Sequence, residues 1–398
     1  MEFKLIFRRY IRFAKWFGLC RPTIQSVDKR GTLKLFLSYL WFLIIHGIIW
    51  LSPIKFIIVL FNEGGNSERI IPLLAIITCF LGFAYTSSTV YFALTKHFED
   101  FCKTFDIHQQ RFGILKKTSF IKRNDRLIPC FAISTAIFSS VVLTALVLFF
   151  KDGMDQVAYP FDFSNFQNMA YTAIMIALNE FVIVNHSYLL EVLFYECSVL
   201  FISEFAEQTK NIQCCITNYA KAEVKNYMEF ESSIENLRQQ YISLIECFDH
   251  SNKILCHYLF GSYAVVIPGF CFMLFGFTRD VLTAGETLYI SFLSAANLIV
   301  IIMFTGMGAI LSIKAHEPLD ALMKIDLLSV TDKTVHSVNL FVSRLTGPTI
   351  GYRVYELFTL DTHTILAVIG TLLTYAVVML QFSGSSNINN CSLNVTVN

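Results

Sequence analysis

The sequence predicts an all-α, polytopic membrane protein of seven transmembrane helices, with a cytosolic N-terminus, an extracellular C-terminus and long cytosolic helical extensions. Three observations predict it. Of 398 residues, 55% are hydrophobic and only 15% are charged, where soluble domains carry roughly 25%. Long apolar runs nearly lack charge, and the charged residues collect between them. Lys and Arg then fall almost wholly on alternate connections, which fixes orientation by the positive-inside rule.

The segment 1–32 is expected in the cytosol. Phe3, Ile6, Phe7, Tyr10, Phe13 and Phe17 recur at helical spacing, while Lys4, Arg8 and Arg12 line another face. That pattern reads as a short amphipathic helix on the inner leaflet, or as the ordinary basic flank of a first span. It is too basic and too interrupted for a signal peptide, so the first span is expected to direct insertion.

Region 33–200 holds four spans, near 33–61, 70–95, 127–150 and 168–200. Residues 96–126 form a charged connection. The second span carries a polar patch from Tyr85 to Thr89. The fourth is the least apolar, with Asn179, Glu180, Asn185, His186, Glu191 and Glu196, and its later half is expected to continue into water. Region 201–252 lacks Gly and Pro and repeats Ile202, Phe205, Ile212 and then Ile234, Leu237, Tyr241, Leu244. It is expected to be a cytosolic anchor of long helices that extend spans four and five and pack together. Region 253–313 holds spans five and six, with a kink expected at Pro268-Gly269 and close packing at Gly306-x-Gly308. Region 314–356 is a second cytosolic anchor, with a helix near 333–346 ended by Gly347-Pro348. Region 357–383 contains the seventh span, and 384–398 is an extracellular tail.

Only Arg69, Lys151 and Arg279 lie on the connections opposite the basic ones. The tail carries two sequons, at Asn390 and Asn394, so N-glycosylation is expected there. The Asn185 sequon lies within a span and is expected to be silent.

No P-loop, dinucleotide glycine pattern, H-E-x-x-H or G-x-S-x-G occurs, so an enzyme is not expected. The eleven Cys show no metal spacing, and Cys214-Cys215 are adjacent. The histidines are scattered; His250 and His257 share a helix face but suit packing better than a metal. Neither a metal nor a cofactor is expected, and a net charge of +1 gives no footprint for nucleic acid. Glu180, a carboxylate within a span, is a functional candidate by default. A transporter would be expected to show internal repeats, and none is visible. A receptor signalling through G proteins would place its N-terminus outside, against the charge pattern, and no N-P-x-x-Y occurs in the last span.

The seventh span, 364–383, has no charged side chain. Thr371, Thr374, Val378 and Gln381 share one helical face. A thin polar stripe on an apolar helix suits a pore wall or a helix–helix contact. Within it, Thr374-Tyr375 and Gln381-Phe382 spell TYxxxxxQF, and upstream stands Phe358-Thr359-Leu360-Asp361. These two motifs resemble the last-span signature of insect gustatory receptors.

That resemblance implies a ligand-gated, non-selective cation channel in the plasma membrane of a sensory neuron's dendrite or cell body, opened by a small-molecule tastant. Four subunits, as a homotetramer or a heterotetramer with other gustatory receptors, would surround a pore for permeant cations within membrane lipid. The seventh span would line that pore, with Gln381 and Phe382 at the outer gate. Each subunit would hold its own ligand pocket on the outer side among spans two to six. Projected orientation brings forward Tyr171, Met175, Asn179, Glu180, Phe270, Tyr289, Phe292 and Asn297 as lining residues. Sugar-sensing members usually carry Glu after the TY pair; Ala376 stands here, so a bitter-type ligand is preferred, and a sugar or an internal nutrient stays open.

Overall fold

The computed structural model describes residues 8–19, 29–62, 67–113, 118–150, 166–222, 226–278 and 283–393. Among them, seven helices of 32 to 56 residues dominate: α2 (Lys29–Asn62), α3 (Ser67–Phe112), α4 (Thr118–Phe149), α5 (Phe166–Lys221), α6 (Tyr227–Thr278), α7 (Ala284–His316) and α10 (Thr362–Leu393). Shorter pieces are α1 (Arg8–Trp16), α8 (Pro318–Leu322) and α9 (Asp332–Thr346). A two-residue-per-strand antiparallel hairpin, β1 (Arg353–Val354) and β2 (Phe358–Thr359), precedes α10.

Five of the described helices, α2, α3, α4, α6 and α7, are long and apolar enough to cross a membrane. Among residues with described side chains, α10 adds a shorter apolar stretch, Thr362–Val378. The helix α5 is less apolar because of its polar residues, yet Glu180, Asn185, His186 and Glu196 are all buried. Those groups face protein, where partners are available, so a bundle can hold them at membrane depth.

The structure adds to the sequence reading in two places. Within the charged connection 96–126 the described residues are helical but for Gly113: α3 runs to Phe112 and α4 starts at Thr118. No Gly or Pro interrupts 96–112, and Phe101 and Phe105 recur four apart on a fully buried face, with Phe105 against Phe201 at 5.5 Å. The apolar stripe therefore carries the helix past the membrane. Of the N-terminal amphipathic pattern, Phe3, Ile6 and Phe7 lie outside the described residues; over Arg8–Trp16 the helix forms, and its apolar face packs on protein. Tyr10, Phe13, Ala14 and Phe17 are buried, and the Tyr10 hydroxyl donates to the Leu189 carbonyl at 3.1 Å.

The extensions of α5 and α6 share an aromatic core. Phe201 meets Phe248 at 5.2 Å, and Phe205 meets Tyr241 at 5.5 Å. The Tyr241 hydroxyl donates to the Ala315 carbonyl, which ties in the end of α7. Tyr352 fills the remaining centre. Its ring lies 4.8 Å from Phe194 and 5.0 Å from Phe248, and it accepts a hydrogen bond from Ser198 at 3.1 Å. The helix expected near 333–346 is α9, capped by the Thr331 hydroxyl at its start and followed by Gly347.

Close helix contacts depend on two places. At the α3–α6 crossing, a β-carbon on Gly82 would collide with Val265, and one on Gly261 would collide with Thr86. Of Gly306 and Gly308 only the second makes a close approach: its β-carbon would lie 2.5 Å from that of Leu360, while Gly306 faces open space. The expected kink site, Pro268, lies within continuous α6.

The last helix also differs from expectation. It does not end at Ser383 but runs on to Leu393, through most of the expected tail. Asn390 lies on that helical backbone; Asn394 falls outside the described residues.

Candidate functional site

The start of α10 is fixed by three consecutive devices. Tyr355, at the hairpin turn, takes a left-handed backbone conformation (φ 51°) and its hydroxyl meets His257 Nδ1 at 2.6 Å. Leu360 is fully buried against Gly308, and its N–H donates to the Tyr352 carbonyl at 2.7 Å. Asp361 then caps the helix: its Oδ1 accepts the Thr364 N–H at 2.9 Å, and its own N–H donates to the Thr364 hydroxyl at 3.3 Å. This reciprocal pair is the capping-box arrangement, which satisfies two amides left over at a helix start. The four residues Phe358 to Asp361 are thus a mechanical joint: ring contact with Tyr263 at 5.5 Å, a strand bond, a buried anchor and a cap.

Beyond the joint, the described side chains of α10 meet α6 and α7 along one side. Ile365, Val368, Leu372 and Ala376 are half-buried on that side. Leu366, Gly370, Leu373, Thr374, Val377 and Gln381 form an exposed face. The expected polar stripe straddles the boundary. Thr374 and Gln381 are exposed, while Thr371 and Val378 are half-buried. The hydroxyls of Thr371 and Thr374 bond back to Ala367 and Gly370 carbonyls at 2.8 and 2.7 Å. The Phe382 side chain lies outside the described residues. A groove of about 600 Å³ opens between α6, the hairpin and the first turns of α10, with Tyr263, Ile267, Leu357, Ala367 and Thr371 in its walls.

A second cluster lies toward the opposite ends of the helices, where α2 to α7 converge. Phe56, Leu73, Phe80, Leu143, Ile176, Met273 and Tyr289 make it a continuous apolar core. Glu180 is buried there, paired with the equally buried Tyr289. Phe270 packs against the same core. The side-chain oxygen of Asn179 is buried without a partner. Four of the eight projected residues, Asn179, Glu180, Phe270 and Tyr289, therefore lie in or beside one cluster. Tyr171, Met175 and Phe292 are exposed on other faces, and Asn297 bonds back to the Leu293 carbonyl at 2.8 Å.

Sequence reasoning missed two features here. Thr172 is buried, and its hydroxyl also lacks a partner. Its seven-residue spacing from Asn179 puts both on one helix face, which was a usable signal. The other is a buried chain across α2, α3 and α5. Ser87 Oγ lies 3.3 Å from His46 Nε2 and 3.0 Å from His186 Nδ1, while His46 Nδ1 meets the Phe42 carbonyl at 3.2 Å. Trp50 donates to Ser88 at 3.1 Å beside it. This explains the polar patch of the second span: it is the glue between three helices. No cluster of three or more metal-ligating side chains occurs among the described residues.

The architecture defines an all-α polytopic membrane protein. The family model described as 7tm Chemosensory receptor matches residues 7–385, so the chain belongs to that family. Two solved structures share the fold. The insect olfactory receptor OR5 from Machilis hrabei in complex with eugenol aligns with a TM-score of 0.67 at 12% identity, covering 94% of this chain and 97% of that one. A second structure of the same receptor aligns with a TM-score of 0.64 at 11% identity, again over 94% and 97%. No curated protein matches the sequence.

Proposed function

We propose that this chain is a gustatory-type chemoreceptor that works as a ligand-gated, non-selective cation channel of four subunits, alone or with related chains. The observation that carries the reading is the one-sided support of α10. An apolar helix joined firmly at Asp361 leaves Thr374, Val377 and Gln381 uncovered in the single chain. Fourfold assembly around that face accounts for it: exposed apolar side chains meet their copies, and the Gln381 amides meet water and ions. The TYxxxxxQF motif ends on this same helix, with Phe382 next to Gln381. Four Phe rings at the outer end would dewet a closed gate, and four amides would solvate ions once it opens. No Asp or Glu occurs from Thr362 to Asn398, so weak discrimination among cations is expected.

The ligand reading rests on the outer cluster. It is apolar and aromatic, with a buried carboxylate–hydroxyl pair and two buried oxygens, on Asn179 and Thr172, that lack partners. Such sites suit a small organic molecule with a few hydrogen-bonding groups. The solved olfactory receptor is in complex with eugenol, a small aromatic molecule. By this reading the agonist is a small tastant, of bitter type in preference to a sugar.

The test is electrical. The chain is expressed alone in a cell without related receptors and challenged with a panel of bitter compounds and sugars. Agonist-evoked current should persist in excised patches without GTP. A response that survives in cells but vanishes in excised patches, and returns with GTP, would instead assign the chain to G-protein signalling. Saturable uptake of a tracer with no conductance would assign it to transport.

A further inference from the structure

On the outside of the bundle, a groove of about 640 Å³ runs between α1, α2 and α5. Its length is apolar: Ile44 and Ile48 come from α2, Leu178 and Val182 from α5. Among its described lining residues the one that is charged is Lys15, at the α1 end. We propose that this groove binds an anionic phospholipid of the inner leaflet, with an acyl chain between α2 and α5 and the phosphate at Lys15.

Four observations support one occupant of that chemistry. First, the groove is amphiphilic in the right order, a hydrocarbon wall ending in a cation. Second, Trp16 and Trp41 are exposed at the cationic end, and the Trp41 indole N–H donates to the Trp16 carbonyl at 2.6 Å. Indoles at headgroup depth are what a membrane boundary selects. Third, α1 reads RRYIRFAKW, with four cations and no acid, so this helix carries charge of one sign. Anionic lipid is enriched on the side where the basic connections place this helix. Fourth, the floor is already built. Tyr10 is bonded to Leu189, and the Phe17 ring lies 6.1 Å from Phe181. A preformed groove binds a flexible chain at less entropic cost than one that must close around it.

The site has a consequence for the ligand cluster. Leu178 and Val182 lie on the back of the α5 turn that carries Glu180. An acyl chain wedged between α2 and α5 therefore bears on that turn from behind. The lipid site itself needs only the membrane reading and the inward-facing α1, so it stands or falls apart from the channel proposal.

The experiment uses the full chain in nanodiscs of phosphatidylcholine containing a small fraction of phosphatidylserine. A photoreactive acyl chain is placed on one lipid or the other, and adducts are mapped by mass spectrometry. Adducts are expected at 41–48 and 178–182, with phosphatidylserine labelling several-fold above phosphatidylcholine. Lys15→Ala should lower phosphatidylserine labelling about fivefold, the effect of losing one basic side chain at an anionic surface, while Lys15→Arg retains it. Leu178→Trp, at an exposed position, should block labelling by both lipids in the groove. Equal labelling by the two lipids in the unaltered protein, adducts concentrated elsewhere, or phosphatidylserine labelling unmoved by Lys15→Ala would each overturn the proposal.

Discussion

Asp361 and Thr364 hold each other across the first turn of α10, with the Asp361 Oδ1 accepting the Thr364 amide at 2.9 Å and the Thr364 hydroxyl accepting the Asp361 amide at 3.3 Å. The pair is the last fixed point before the helix assigned to the pore. Asp361→Ala should cost about 1 kcal/mol of local stability, the usual worth of a helix cap. Asp361→Asn, which still caps, should cost much less. In recordings the Ala variant should change open probability while surface density stays normal. Identical gating in Ala, Asn and unaltered chains would mean that the joint does not govern α10.

The buried pair Glu180–Tyr289 should decide ligand sensitivity. Leaving a buried polar group without its partner costs about 1–3 kcal/mol, so Glu180→Gln or Tyr289→Phe should weaken agonist potency roughly tenfold. The two changes together should fall short of the product of the single effects, because each disrupts the same buried pair. Fully multiplicative losses in dose–response curves would separate the two residues.

The α3–α6 crossing makes a packing prediction. A side chain at Gly261 would run into Thr86, whose hydroxyl donates to the Gly82 carbonyl at 2.7 Å. Gly261→Val should therefore destabilise the detergent-solubilised protein by about 1–3 kcal/mol, the cost of overpacking. Thr86→Ala in the same chain should recover part of it. Thermal unfolding curves that show no loss for the single variant would contradict so close a crossing.

Much of this was legible in the sequence, and the exceptions have physical causes. The Gly-free, Pro-free run 201–252 announced the long extensions of α5 and α6, and Gly347 marked the end of α9. In 96–112 the many charges masked a buried Phe stripe, because composition weighs every face alike while packing needs only one. The helix α1 was legible as amphipathic, but the spacing of its apolar residues does not say whether protein or lipid covers them. His46, Ser87 and His186 come from three helices, so only tertiary packing reveals their contact. Along α10, spacing put Thr371, Thr374, Val378 and Gln381 on one face but could not tell which edge of it α6 and α7 would cover.

The extensions should also respond to acid in two separate windows. His108, buried and bonded to Ser243 at 3.0 Å, has its imidazole pushed down by burial from 6.5 to about 4. Between those values the unfolded chain takes up a proton that the folded chain refuses. Stability from this group is thus complete above about 6.5 and falls as pH drops toward 4. Glu235 is held down to about 2, chiefly by its hydrogen bond from Arg238, so its contribution is lost only as pH falls from about 4.5 toward 2. In thermal unfolding against pH, His108→Gln should flatten the upper window and leave the lower one, and Glu235→Gln the reverse.

The central claim is that α10 lines a cation pore whose outer mouth holds Gln381. The most direct measurement is the single-channel conductance and reversal potential of Gln381→Glu under a salt gradient. Four added carboxylates at the mouth should concentrate cations there, raising cation conductance at low salt and moving the reversal potential toward the cation limit, with the shift shrinking as salt is raised. A variant that reaches the surface and answers agonist, yet shows unaltered conductance and reversal potential at every salt concentration, would place the pore elsewhere.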